Sequence, residues 1–215
     1  MIKRIRLSFL LIISTMLLVF SPVLAEESKT QRPNPILGFY DTPVYANHKL
    51  INGVGNVTIY LNYASGIGYW ESYISNAANN WMYTGWANPI YINFVSSNYG
   101  STIDIYRESD SYWPNYPDEI AASTEMYSSS STAMNPLNGN WLYCEIHVNH
   151  DKLIQNTVSD FEAQFVMTHE MGHCFGLDHN TKTNVSIMWT YYDEAVVDTV
   201  QQVDNNTIIH LYGSN

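Results

Sequence analysis

Positive charge is scarce in this chain of 215 residues: nine Lys and Arg stand against 20 Asp and Glu, for a formal net charge of −11 at pH 7. A surface so short of cations argues against nucleic acid and against anionic membranes as partners. Cysteine is nearly absent, and two residues cannot build a disulfide framework or a cysteine-rich metal cluster. Long hydrophobic runs are missing as well. The one apolar stretch, residues 7–20, is shorter than the roughly 20 residues that a membrane-spanning helix needs. It follows Lys3, Arg4 and Arg6 and precedes Val23-Leu24-Ala25, the order of a secretory signal with a small residue at the cut.

These absences define three segments. Residues 1–25 read as a signal peptide, residues 26–50 as an extended leader or short pro-segment containing Pro33, Pro35 and Pro43, and residues 51–215 as one domain. Cleavage after Ala25 would leave six basic and 20 acidic residues, a net charge of −14. The remaining length of roughly 190 residues suffices for a single well-filled core. The leader has no cysteine, which excludes latency by a thiol that caps a metal.

What the chain does have is the run His169-Glu170-Met171-Gly172-His173-Cys174-Phe175-Gly176-Leu177-Asp178-His179. Histidines four apart on a helix lie one above the other and can hold the same ion. Glu170 is the next residue round, placed to take a proton from a water on that ion. Gly176 can adopt positive φ, so the chain can turn back and return His179 as a third nitrogen ligand. Three neutral imidazoles leave one position of a zinc ion open.

Around this run the hydrophobic pattern alternates between strand and helix periods. Residues 56–63 carry Val57, Ile59 and Leu61 in alternation and predict a first strand, and residues 90–95 and 102–106 predict two more. Leu142, Cys144, Ile146 and Val148 predict a fourth, just before the histidine run. Trp70, Ile74, Ala77, Ala78, Trp81 and Met82 recur at helical spacing. Val200, Val203, Thr207, Ile208 and Leu211 predict a last helix, with Thr199 and Gln202 at the spacing of a capping box.

The motif H-E-x-x-H-x-x-G-x-x-H, followed by Ser186-Ile187-Met188, resembles the zinc signature and methionine turn of the metzincin metallopeptidases. The order of strands and helices over residues 55–213 resembles the matrixins, the matrix-metalloproteinase-like branch. The resemblance implies an α+β, zincin-like fold: a twisted mixed sheet of four to five strands, an upper-domain helix, a zinc-site helix and a C-terminal helix. It implies zinc ligands His169, His173 and His179, a methionine turn at Met188, and peptide hydrolysis by a zinc-activated water with Glu170 as general base. It further implies an extended peptide or protein substrate, with Ile146 and its strand at the cleft rim and Tyr191 or Tyr192 walling a pocket. The expected product is a secreted, extracellular, monomeric endopeptidase. The rival readings are a zinc hydrolase of a cell-wall amide and a secreted binding protein that keeps the fold without turnover.

Some positions depart from the family pattern. Matrixins usually carry Ser after the third ligand and astacins Glu, whereas this chain has Asn180. The segment 107–140 has no histidine, so the structural zinc of vertebrate matrixins lacks its ligands. Glu108, Asp110, Asp118, Glu119 and Glu125 offer oxygen for calcium, but without a recognised calcium-loop spacing. His147 and His150 read as a solvent-facing pair. Cys144 shares a strand face with Ile146, and Cys174 extends a Met167–Met171 stripe on the zinc helix, so the two thiols should meet in one seam and could form a disulfide.

Overall fold

The computed structural model describes residues 36–113, 120–129 and 132–214; the signal-peptide expectation lies outside them. A six-stranded sheet carries four helices. In chain order these are β1 (Val57–Leu61), α1 (Glu71–Met82), β2 (Ile92–Val95), β3 (Ile103–Glu108), β4 (Ala122–Ser129), β5 (Thr132–Met134), β6 (Tyr143–Asn149), α2 (His150–Gln155), α3 (Asp160–Cys174) and α4 (Gln202–Tyr212). The strands lie in the order β2-β1-β3-β6-β4-β5. The first four in that row are parallel, while β4 runs antiparallel to both β6 and β5. Among the described residues no helix is long and apolar enough to cross a membrane.

Alternation decides which face of each strand is covered. Val57, Ile59, Ile103, Ile105, Cys144, Ile146 and Val148 are all essentially inaccessible, and they lie on the sheet face covered by the helices. Helix α1 presents Ile74, Ala77, Ala78 and Trp81 to the same core, and Trp70 just before it adds a fifth buried side chain. Each large side chain so buried contributes about 1.5–3 kcal/mol. Helix α3 is buried on every side from Ala163 to Cys174, so its sequence lacks the one-sided polarity of a surface helix. A capping box starts it: Glu162 N donates to Ser159 Oγ, and Ser159 N donates to Glu162 Oε2 at 2.7 Å. The indole nitrogen of Trp81 donates to the Thr168 carbonyl at 2.8 Å and ties α1 to α3.

Three expectations change. The sheet has six strands, because the hairpin β4–β5 occupies a segment whose serines and threonines hide its alternation. The cap of α4 falls two residues later than the Thr199–Gln202 spacing predicts: Gln201 N donates to Asp204 Oδ2 at 3.0 Å. Cys144 and Cys174 do meet in the seam between β6 and α3, but as free buried thiols. The Cys144 sulfur lies 3.9 Å from the Cys174 carbonyl.

The segment before β1 packs into the domain. Leu50 is buried, and Val44 bridges to Leu177 beyond the zinc helix. Thr42 reaches furthest. Its hydroxyl and that of Ser186 each donate to Asp204 Oδ1 at 2.5 Å, and Ile187 N donates to Asp204 Oδ2 at 3.0 Å. Asp204 is fully buried, and burial pushes its carboxyl above the usual range while these three donors and the Gln201 N–H pull the other way. Asp204→Ala would orphan buried hydroxyl and amide groups on three segments. The expected cost is about 3 kcal/mol in urea unfolding, and a loss under about 1 kcal/mol would mean that water replaces the carboxylate.

Candidate metal centre and cleft

Helix α3 carries His169 and His173 one turn apart, and the chain leaves it through Gly176 at φ +100°. A side chain there would meet Leu211 at 2.9 Å and the His48 carbonyl at 3.0 Å, so glycine is required for both conformation and space. The turn returns His179. The three rings face one another at centroid distances of 4.7, 4.8 and 5.2 Å, and one nitrogen from each lies within 4.8 Å of the others.

The other ring nitrogens fix the tautomers. His169 Nδ1 is 2.9 Å from the Ile187 carbonyl and His173 Nδ1 is 2.8 Å from the Leu177 carbonyl. A carbonyl only accepts, so both Nδ1 atoms carry the proton and both Nε2 lone pairs point inward. Burial pushes the His169 pKa down to about 3 and those of His173 and His179 below the usual value, with the neighbouring rings adding to the effect at His169 and His173. Three neutral nitrogens, two held by outer hydrogen bonds and the exposed third on the open side, form a group that could hold a metal ion.

Glu170 is 7% exposed and opens onto the same cleft. Burial raises its pKa to about 7, and a 2.6 Å hydrogen bond from the Thr124 hydroxyl acts in the opposite sense. Met188 lies fully buried against Gly172 of α3. A methyl group on Gly172 would stand 2.3 Å from the Met188 sulfur and 3.0 Å from Trp81. The helix therefore carries glycine between Met171 and His173 despite its poor propensity, because the methionine turn touches the backbone there.

A cleft of about 550 Å³ runs past the three histidines. The strands that line it are β4, with Ala122, Thr124 and Met126, and β5, with Ala133 and Met134, and not β6 as expected. Ile146 sits in the core under α3 and does not reach the cleft. Tyr192 lines the cleft and receives a hydrogen bond from Asn156 at 3.0 Å, whereas Tyr191 is 56% exposed and lies outside it. Asn180 is buried and makes a structural bridge: its amide donates to the Tyr40 carbonyl at 3.1 Å and its N–H to the Met188 carbonyl at 2.8 Å. Of the calcium candidates, Asp118 and Glu119 lie outside the described residues, Asp110 bonds Gln155, and Glu108 and Glu125 stand on the far face of the sheet.

Sequence reasoning missed Thr124 and Tyr45. Thr124 was hidden in a polar strand. Tyr45 lies in the presumed leader, yet its phenol oxygen is 2.8 Å from His173 Nδ1 and shares that proton with Leu177.

A buried carboxylate and three convergent imidazoles thus share one open cleft. A family model described as matrixin matches residues 71–213, and the chain belongs to that family. Membership makes it a zinc-dependent peptidase in general terms. No curated protein matches the chain.

Tyr45→Phe keeps the ring and removes the contact to His173. Zinc affinity in a chelator competition is expected to fall by about tenfold, in line with other outer-shell partners of ligating histidines. Unfolding free energy should change by less than about 1 kcal/mol. An unchanged zinc affinity would remove Tyr45 from the site.

Proposed function

We propose that the chain is a secreted endopeptidase in which Glu170 is the general base and His169, His173 and His179 are the zinc ligands. The observation that carries this reading is the placement of the Glu170 carboxyl in the same cleft as three inward-facing nitrogen lone pairs. Zinc held there supplies Lewis acidity toward the scissile carbonyl and toward water. Glu170 takes the proton of the attacking water and passes it to the leaving amine. Thr124, by donating to Glu170 Oε2, holds that carboxylate in one rotamer with its second oxygen toward the cleft.

Strand β4 supports an extended peptide as substrate. Its pairing with β5 covers Met126 to Ser129 only, so the outer edge of Ala122 to Glu125 is unpaired where it borders the cleft. An added strand completes such an edge by main-chain hydrogen bonds, and alternate side chains then enter the pocket lined by Val166 and Tyr192. Export through residues 1–25 is consistent with this role and with the acidic charge. The segment from Thr42 onward stays with the domain in this reading, because it holds the methionine turn.

Glu170→Gln is expected to bind one zinc at that site with near-parental affinity and to lose peptide hydrolysis by about 10²–10⁴-fold. His173→Ala should lose both. Digestion of an unfolded protein substrate and of muropeptides, each with and without a chelator, tests the substrate class. Chelator-sensitive cleavage of the protein alone supports the reading; cleavage of muropeptides alone, or a Glu170→Gln enzyme as fast as the parent, overturns it.

A further inference from the structure

The face of the sheet turned away from the helices carries a second group of ligating side chains. On β6, Glu145 and His147 point to that face; on β4, Glu125 is the cross-strand partner of Glu145. One donor atom from each of Glu125, Glu145 and His147 lies within 4.8 Å of the others. His147 is therefore not half of a solvent-facing pair with His150. Its side chain is 7% exposed and is stacked between Tyr106 and Tyr112, with interplanar angles of 12° and 19°. The stacking fixes the plane of the imidazole. Glu108, on β3, accepts from Nδ1 at 3.0 Å and fixes its rotation and tautomer.

That arrangement aims Nε2 into the carboxylates, where it has no hydrogen-bond partner among the described residues. Glu145 Oε2 is 3.4 Å away, at ion-pair distance but without hydrogen-bond alignment. Ser123, opposite His147 in the β4–β6 register, also has a buried hydroxyl without a partner. The carboxylates have few donors, one of them the Tyr143 phenol at 3.5 Å from Glu145 Oε1. The phenol of Tyr127 is within 2.8 Å of Glu125 Oε2 and 2.9 Å of Glu145 Oε2, but it has one proton for two acceptors. Asp104 is buried and pairs with Glu145 across β3–β6, adding a fourth negative group around one imidazole. Among the described residues no lysine or arginine makes an ion pair with any of them.

We propose that Glu125, Glu145 and His147 form a second metal site, for a divalent transition ion of the zinc type, on the opposite face of the sheet from the catalytic centre. Two carboxylate oxygens and one imidazole nitrogen suit zinc, whereas calcium takes six to eight oxygens. Glu108, bonded to the distal nitrogen of the ligating imidazole, is the orienting carboxylate that such sites carry. The ligand set differs from the histidine-based structural zinc of vertebrate matrixins, whose ligands this chain lacks. The ion would clamp β4 to β6. Because β4 also carries Thr124 and the open edge, the clamp stiffens the cleft wall from behind.

Equilibrium dialysis of the full domain against micromolar zinc, read by elemental analysis, tests the site independently of proteolysis. Two zinc ions per chain are expected for the parent and one for Glu125→Gln/Glu145→Gln. Glu108→Gln should retain the second ion with about 10–100-fold weaker affinity. The second equivalent should also raise the melting temperature of the parent and leave that of the double variant unchanged. His147→Gln serves if the double variant fails to fold, with the same single-zinc outcome expected. One zinc per chain in the parent, two in a folded variant, or displacement of the second zinc by equimolar calcium would overturn the proposal.

Discussion

The metal centre depends on a constraint set by geometry: two of its ligands belong to a rigid helix and the third to a loop. Helix α3 fixes the spacing of His169 and His173 by itself. His179 is fixed only if the return of the chain after Gly176 and the methionine turn behind it are both held. Asp204 holds them. One buried carboxylate joins the N-terminal segment through Thr42, the methionine turn through Ser186 and Ile187, and the start of α4 through Gln201. Asn180 adds a parallel tie from Tyr40 to Met188.

Much of this was legible in the sequence because the signals were local. The i, i+4 histidines, the helix-ending glycine and the core strands with aliphatic alternation depend on periods of two and 3.6 residues, and the structure places them where those periods require. What escaped was non-local or chemically disguised. Strand β4 reads S-T-E-M-Y-S-S at its centre, so its burial alternation is carried by Thr124 and Met126 among hydroxyls and gives no hydrophobic stripe. Yet β4 supplies the cleft wall and the hydrogen bond to Glu170. Tyr45 and Thr42 were taken for leader because a proline-containing stretch without a periodic pattern carries no information about where it docks. The S-x-x-E start of α3 at Ser159–Glu162, by contrast, is a local signal that the structure realises as a capping box.

His147 illustrates the limit in another way. H-x-x-H within a strand–helix junction looks exposed, since both residues are polar. The register of β6 sends His147 to the outer face and the tyrosines of neighbouring segments enclose it, a fact held in β3, β4 and β6 together. The same register that buries Ile146 toward the catalytic helix exposes Glu145 to Glu125. Both faces of one strand pair thus carry chemistry, and a one-residue slip would dissolve both.

The hydrogen bond from Thr42 to Asp204 spans 162 positions of the chain. Closing so long a loop is slow and must await the arrival of α4. A nascent polypeptide therefore has its histidine motif complete before the return loop can be locked, and the position of His179 is among the last features of the domain to be set.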